Sequence, residues 1–276
     1  MNPIYLQALS FKDVYGTSED CIHAAADMAA ELSIAGINIE DRLLKSYDPK
    51  YLQELAHQIE GRGLRFGYCG LIVDFSAPIS SIEDEINRAK SLIDAMTHLG
   101  VGHIRVPGNG VVDGQSFEAT FSAVRDKFER ISEYADQAGV AVYLHNHNHG
   151  STPSTGQQVL RMLDELSHTN VAYVLDTGQF QGSPGASGST GSESVAASEL
   201  YESIAMCASR ATMLRAKFYF AGQDDEQWLD YARIVGSLKN AEYSGSVSIV
   251  YEPRGSVPST EAVPRAVRYL TKLFAT

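Results

Sequence analysis

The sequence predicts an α/β fold, a single (β/α)8 TIM barrel spanning residues 1–276, on three observations. Short apolar runs alternate strictly with longer amphipathic runs, eight of each. Such alternation means parallel strands joined by crossover helices. The length of 276 residues is close to the roughly 250 typical of a closed eight-fold barrel. Finally, no G-x-G-x-x-G follows the first strand, where an open doubly wound sheet usually carries its phosphate-binding turn.

The first strand is IYLQAL at 4–9. A helix over 19–34 follows, with Ser18 as its N-cap and Ala24, Met28 and Leu32 recurring at helical spacing. Gly36 introduces the second strand, GINIE, and residues 50–61 are helical. The third strand lies within 64–73. The segment 81–98 is a helix with Ile82, Ile86, Ala89, Ile93 and Met96 on one side. The fourth strand is GHIRV at 102–106, followed by a helix over 116–138. The fifth is VAVYL at 140–144, followed by a helix over 156–168. The sixth is VAYVL at 171–175, followed by a helix over 194–208. The seventh spans 212–218, with a helix over 226–239. The eighth is SVSIVY at 246–251, and a helix over 260–273 closes the chain. One stretch breaks the rhythm. The Gly/Ser-rich loop at 180–193, containing QGSPGASGSTG, is either a lid over the strand ends or an unstructured insertion.

Composition excludes several classes. Lys and Arg number 22 against 34 Asp and Glu, for a net charge of −12. An acidic surface repels phosphate backbones, so nucleic acid is not an expected partner. No apolar run approaches the roughly 18 residues of a membrane-spanning helix, and MNPIYLQALS lacks the pattern of a secretory signal. The cysteines, Cys21, Cys69 and Cys207, are odd in number and far apart. They suit reduced thiols in a cytoplasmic protein better than a disulfide frame. The expected partner is a polyhydroxylated small molecule, and the sequence is compatible with a homo-oligomer.

In such a barrel the working site is built at the C-terminal ends of the strands. The polar residues placed there are Glu40, Asp41, Arg105, Asn109, His145, Asn146, His147, His149, Asp176, Gln179, Arg215, Lys217, Glu252 and Arg254. In LHNHNH, positions i, i+2 and i+4 of an extended chain share one face. His145, His147 and His149 then project together, although His149, beside Gly150, reads rather as a loop histidine. Neutral imidazoles suit Zn, Mn, Fe, Co or Ni and also proton transfer near neutral pH. Asp176, after VAYVL, is a metal ligand or an Asx turn. Arg215 and Lys217 are two apart and share a face, where a lysine can polarise a carbonyl or cap the mouth as one of a charged pair. Glu252 is a base, a ligand, or an ion-pair partner of Arg254, Arg215 or Lys217. Arg105 binds an anionic or hydroxylated substrate or pairs with Glu40, and Gln179 is a further substrate-binding candidate. Trp228, Phe218, Tyr219 and Phe220 line a pocket or pack in the core.

At these residues the chain resembles the sugar-phosphate isomerase/epimerase family, the xylose-isomerase-like barrels. The resemblance rests on LHNHNHG, VLDTGQF, RAKFYFAGQDDEQWLDYARIV and EYSGSVSIVYEP, in that order. It spans nearly the whole chain and is specific for the superfamily rather than for a reaction. It implies a divalent metal (Mn, Zn, Co, Ni, Fe or Mg) held by Glu, Asp, His and Glu, and proton movement next to a sugar carbonyl. Asp176 matches the family aspartate, His147 the histidine of the L-E-N-H motif, and Lys217 the lysine of its Lys-Phe-Tyr segment. His145 stands where that motif has glutamate. Arg215 stands where a metal-binding histidine is usual. Val250 stands where the last glutamate is expected, with Glu252 the nearby acid.

Three of the four metal positions are therefore changed, and two readings stay open. One is a rearranged metal site of His145, Asp176 and Glu252, with His147 a further candidate. The other has no cofactor, with His145 or His147 as base and Arg215 and Lys217 as electrostatic partners. Either implies an isomerase or epimerase of a sugar or sugar-like hydroxy-carbonyl compound. His145, His147, Lys217 and Glu252 would be catalytic, and Arg105, Arg215 and Gln179 would bind substrate. A lyase or dehydratase begins with the same proton abstraction, and a non-catalytic binding relative would keep the barrel alone.

Overall fold

The computed structural model describes residues 2–71, 79–108, 115–148, 151–184, 198–222 and 225–276. The chain runs β1 (Ile4–Gln7), α1 (Lys12–Tyr15), α2 (Asp20–Glu31), β2 (Gly36–Glu40), α3 (Pro49–Glu60), β3 (Arg65–Gly70), α4 (Ile79–Leu99) and β4 (His103–Pro107). It continues through α5 (Phe117–Gln137), β5 (Ala141–His145), α6 (Gly156–Glu165), β6 (Val171–Asp176), α7 (Ser198–Cys207), β7 (Met213–Phe218), α8 (Tyr231–Asn240), β8 (Ser246–Tyr251) and α9 (Ser259–Ala275). The strands pair in parallel in chain order, and β8 closes on β1, so the sheet has no free edge.

The helices dock by one face each. In α3, Leu52, Leu55 and Ile59 are buried, Asp48 accepts from the backbone N–H groups of Lys50 and Tyr51, and Pro49 starts the first turn. Residues with no free N–H partner inside the helix are thus satisfied at its start. In α6, Val159, Met162 and Leu163 are buried and Thr155 accepts from Gln158 N–H. Among the described residues, no helix is long and apolar enough to cross a membrane.

The structure departs from expectation in three places. The first strand ends at Gln7, and Ala8–Phe11 forms a buried 3-10 turn that leads into α1. The residue preceding α2 is Glu19 rather than Ser18, whose hydroxyl still accepts from Asp20 N–H at 3.3 Å. The helix expected over 226–239 begins only at Tyr231, capped by Asp230. Glu226 explains the delay: its buried carboxylate accepts from the N–H groups of Tyr219, Phe220 and Trp228 and ties that stretch into a tight loop. Of the Gly/Ser-rich stretch, residues 180–184 are described, and Phe180 and Pro184 are buried. Residues 185–193 lie outside the described residues, as do Asn109 and His149.

One polar residue inside the barrel settles a local mismatch. β2 and β3 change register between Ile37 and Ile39, with one more residue on the β3 side. The Tyr68 N–H at this irregularity donates to the Asn38 side-chain oxygen at 2.9 Å, and the Asn38 amide donates to Ser248 Oγ at 2.8 Å. Gly67 makes the approach feasible, since a Cβ there would meet Asn38 Oδ1 at 2.2 Å. Asn38→Ala would leave the Tyr68 N–H buried without an acceptor. The expected loss is about 1–3 kcal/mol of stability, read as a lower urea midpoint; an unchanged midpoint would contradict this role.

Candidate active site

A cavity of about 410 Å³ occupies the C-terminal mouth of the barrel. Its walls include Glu40, Arg105, His145, Arg215 and Lys217 from strand ends, and His147, Gln179 and Glu252 from the segments that follow. These sequence-predicted candidates therefore come together, with Asp176 buried among them, whereas Asp41 lies beside Arg88 and does not line the cavity.

Asp176 is the last residue of β6 and has no solvent exposure. Its Oδ2 accepts from Arg215 Nη1 and from His145 Nε2, the latter at 3.0 Å. Its Oδ1 accepts from Gly178 N–H at 2.8 Å. Asn146 fixes the backbone beside it, accepting from Asp176 N–H at 2.9 Å and donating to Asp176 O at 3.0 Å. Burial alone would raise the carboxyl's pKa. The charges of Lys217 and Arg215 and the His145 hydrogen bond outweigh that, and hold it well below the carboxylate range.

His145 is engaged on both ring nitrogens. Nδ1 lies 2.9 Å from Arg105 Nη1. A guanidinium only donates, so Nδ1 accepts and Nε2 carries the proton shared with Asp176. Burial, then the charge of Arg105, hold the imidazole well below its ordinary pKa. It is a neutral bridge whose single lone pair is already committed.

Arg105 also donates to Glu40 Oε1 at 3.3 Å, while its buried Nε has no hydrogen-bond partner among the described residues. Gly70 makes room for this side chain, because a Cβ there would meet Nη2 at 2.4 Å. Arg215 donates through Nε to Tyr68 OH at 3.2 Å, and that hydroxyl donates to Gln7 Oε1 at 3.1 Å. Lys217 is fully buried and donates to Glu252 Oε1 at 2.7 Å. Burial opposes ionisation of Glu252, but Lys217 and then Arg215 lower its pKa to about 2. His147 lies past the end of β5, with Ser151 Oγ 3.3 Å from Nδ1 and its ring edge-on to His145. Gln179 is buried at the cavity wall, and its Oε1 has no hydrogen-bond partner among the described residues.

Among the described residues, Lys12, Arg42, Arg105, Arg215, Lys217 and Arg254 line the cavity against Glu40 and Glu252. Even with Asp176 counted, six cations face three acids. Sequence reasoning missed Lys12, Arg42 and Tyr68. Arg42 had a signal, two residues after a strand-end glutamate, and Lys12 was hidden by reading Ala8 and Leu9 as strand. Of the two readings of the aromatics, packing is the one found. Trp228 packs on Tyr219 and Phe220, Phe218 stacks on Tyr231, and none of these five lines the cavity.

The donor set of His145, Asp176 and Glu252 does not fit a divalent cation. Asp176 Oδ2 is taken by Arg215 and His145, the His145 lone pair by Arg105, and Glu252 by Lys217. Among the described residues, no three His, Cys, Asp or Glu side chains converge as ligands. A metal would also face three buried cations, each repelling it by about 4 kcal/mol per unit of metal charge at ~4 Å and an effective dielectric constant of ~20.

Two predictions test this network. Replacing Asp176 with Asn removes the counter-charge of buried Arg215, with an expected loss of about 3–5 kcal/mol in chemical denaturation. The second concerns pH. His145 is neutral when folded and titrates near 6.5 when unfolded, so its contribution is full above that value and is lost as pH falls towards the folded pKa. Wild-type stability should fall by about 1.4 kcal/mol per pH unit more steeply than that of His145→Gln below pH ~6. Parallel pH profiles would contradict the assignment.

Several solved structures similar to this chain are named as sugar epimerases. D-psicose 3-epimerase from Clostridium cellulolyticum H10, with D-tagatose, has a TM-score of 0.71 at 14% identity, covering 99% of this chain and 96% of that one. L-ribulose 3-epimerase has a TM-score of 0.75 at 13% identity, covering 100% and 95%. The IOLI protein with a binding zinc atom has a TM-score of 0.74 at 16% identity, covering 100% and 98%. At such identities the likeness shows the fold. No curated protein sequence matches the chain. The profile of the xylose isomerase-like TIM barrel family matches residues 26–273. By that match, which takes in β2 to β8 and the whole strand-end network from Glu40 to Glu252, the chain belongs to the xylose isomerase-like TIM barrel family.

Proposed function

We propose that the chain is an isomerase or epimerase of a sugar or sugar-like hydroxy-carbonyl compound, and that it moves a proton next to the carbonyl without a bound metal. One observation carries the reading: Arg215 and Lys217 line the same cavity as His147. Fixed positive charges beside a proton-transfer group are what enolate chemistry requires. The similar folds named as sugar epimerases support the substrate class.

The roles follow from the geometry. The substrate carbonyl sits against Lys217 and Arg215, whose charges stabilise the enediolate as it forms. Both are held in place beforehand, by Glu252 and Asp176, so little reorganisation is needed during reaction. Arg105 and Gln179 bind substrate hydroxyls. His147 is the base. His145 has no uncommitted lone pair, and Glu252, with a pKa lowered to about 2, is a weak base at neutral pH. When Nδ1 of His147 donates to Ser151 Oγ, Nε2 carries the lone pair that accepts the proton. Glu252 then serves as the partner that keeps Lys217 charged and directed. The buried free thiols of Cys21, Cys69 and Cys207 favour a reducing, cytoplasmic setting.

The test is a panel of hydroxy-carbonyl sugars incubated with the protein in heavy water and followed by NMR. Deuterium at the carbon next to the carbonyl, in a product of unchanged composition, is the expected result. Loss of water from the substrate would transfer the reading to a lyase, and no exchange with any compound would overturn it. His147→Gln should lower kcat by about 10²–10⁴, and Lys217→Met by about 10²–10³, with substrate affinity changed less. The wild-type rate should fall on acidification as the imidazole base is protonated, a limb absent from the residual activity of His147→Gln. A limb below pH 4 that disappears in Glu252→Gln would assign the base to Glu252 instead.

A further inference from the structure

We infer that Tyr68 is a positioning residue of this site: its hydroxyl turns the Arg215 guanidinium so that Nη2 meets the substrate oxygen on which charge develops. The inference rests on the isomerase reading of the cavity. Tyr68 is fully buried and does not line the cavity, so it acts only through its neighbours. Arg215 does line the cavity and is held at two of its three nitrogens. Nη1 donates to Asp176 Oδ2, and Nε donates to Tyr68 OH at 3.2 Å. Nη2 is left without a hydrogen-bond partner among the described residues.

The second bond matters because the guanidinium is a rigid plane. Held by Asp176 alone, it can still tilt about that contact and carry Nη2 with it. The bond at Nε fixes the plane before substrate arrives, and donors fixed in advance are the ones that stabilise a developing oxyanion. The phenol is itself fixed. A guanidinium only donates, so Tyr68 OH accepts from Arg215 and its single proton goes to Gln7 Oε1 at 3.1 Å. The guanidinium carbon of Arg105 lies 5.7 Å from the centre of the Tyr68 ring, within cation–π range. One tyrosine thus supports both buried arginines of the cavity wall.

The backbone explains how Tyr68 reaches Arg215. In a regular strand successive side chains alternate between the two faces. Here Ile37 pairs with Phe66 and Ile39 with Cys69, so Asn38 stands opposite two residues of β3, Gly67 and Tyr68. Both turn into the barrel. A Cβ on Gly67 would meet Asn38 Oδ1 and the Tyr5 ring, while Tyr68 reaches Gln7 and Arg215. An extra residue of this kind re-aims a side chain beside a site. Without it, alternation would point Tyr68 at the surrounding helices. Asn38 secures the irregularity by accepting from Tyr68 N–H at 2.9 Å.

The test is NMR of the full chain carrying isotopically labelled arginine. The Arg215 Nε–H signal is identified by its loss in Arg215→Lys. In the wild type this hydrogen should exchange with water more slowly than the Nε–H of the exposed Arg42. Tyr68→Phe keeps the ring beside Arg105 and removes only the hydroxyl. In that variant the signal should move and exchange about tenfold faster, the equivalent of one hydrogen bond. With a sugar that turns over in heavy water, Tyr68→Phe should lower kcat by about 10–10²-fold while KM changes less than about twofold. An Nε–H as protected in Tyr68→Phe as in the wild type, or a loss confined to KM, overturns the inference. So does a wild-type Arg215 Nε–H that exchanges as fast as that of Arg42, a result that needs no variant to fold. The two levels separate. If no sugar takes up deuterium, the isomerase reading falls, and the Nε–H signal still decides whether Tyr68 fixes Arg215. If a sugar turns over and Tyr68→Phe keeps the wild-type kcat, the isomerase reading stands and the positioning role falls.

Discussion

A carboxylate with no access to water must be balanced by charge, and Asp176 sets that demand at the floor of the barrel mouth. Arg215 answers it directly, and His145 answers it with its Nε2 proton. That proton leaves Nδ1 as an acceptor, which orients Arg105, and Arg105 in turn pairs with Glu40. On the other side, Lys217 adds its charge to the field around Asp176 and pairs with Glu252. One buried acid thus organises side chains from β2, β4, β5, β7 and the end of β8. The barrel supplies the means, because adjacent parallel strands set residues side by side in register, as the pairing of Asp176 at the end of β6 with Arg215 within β7 shows.

Such a floor is costly, since each buried ion loses several kcal/mol of hydration that pairing only partly offsets. A site kept at that cost gains permanence: guanidinium and ammonium groups carry their charge without dissociating from the protein. They also leave no room for a metal, whose ligands here are committed to cations. On the function proposed above, Lys217 and Arg215 would stabilise a developing enediolate and His147 would accept the proton. Other members of the fold carry a metal, as the zinc-containing IOLI structure illustrates. Arg215, paired with Asp176 inside the site, is the residue that most opposes a cation there.

The architecture was readable in the sequence because barrel strands are buried on both faces. They appear as apolar runs, and the first polar residue after each run marks the mouth. That logic found Asp176, His145, Arg105, Lys217 and Glu252. It did not find their partners. The two contacts that engage the ring nitrogens of His145 come from residues 40 and 31 positions away, and spacing within LHNHNH carries no trace of them. His145 and His147 look alike in sequence, yet one ends a strand between two partners and the other lies beyond it. The late start of α8 has a similar cause. Residues 226–230 have acceptable helical composition, but Glu226 uses its carboxylate to cap three backbone N–H groups, a tertiary demand that overrides local preference.

The central claim is that fixed cations commit the strand-end acids and His145 so that they hold no metal, and metal content tests it most directly. Untagged protein purified from cells grown in metal-rich medium would be analysed for Mn, Zn, Co, Ni, Fe and Mg, before and after incubation with excess metal. The account predicts far less than one equivalent of any of them in both samples. One equivalent of a single metal, retained through gel filtration and lost in Asp176→Ala, would contradict it and return His145, Asp176 and Glu252 to the role of ligands.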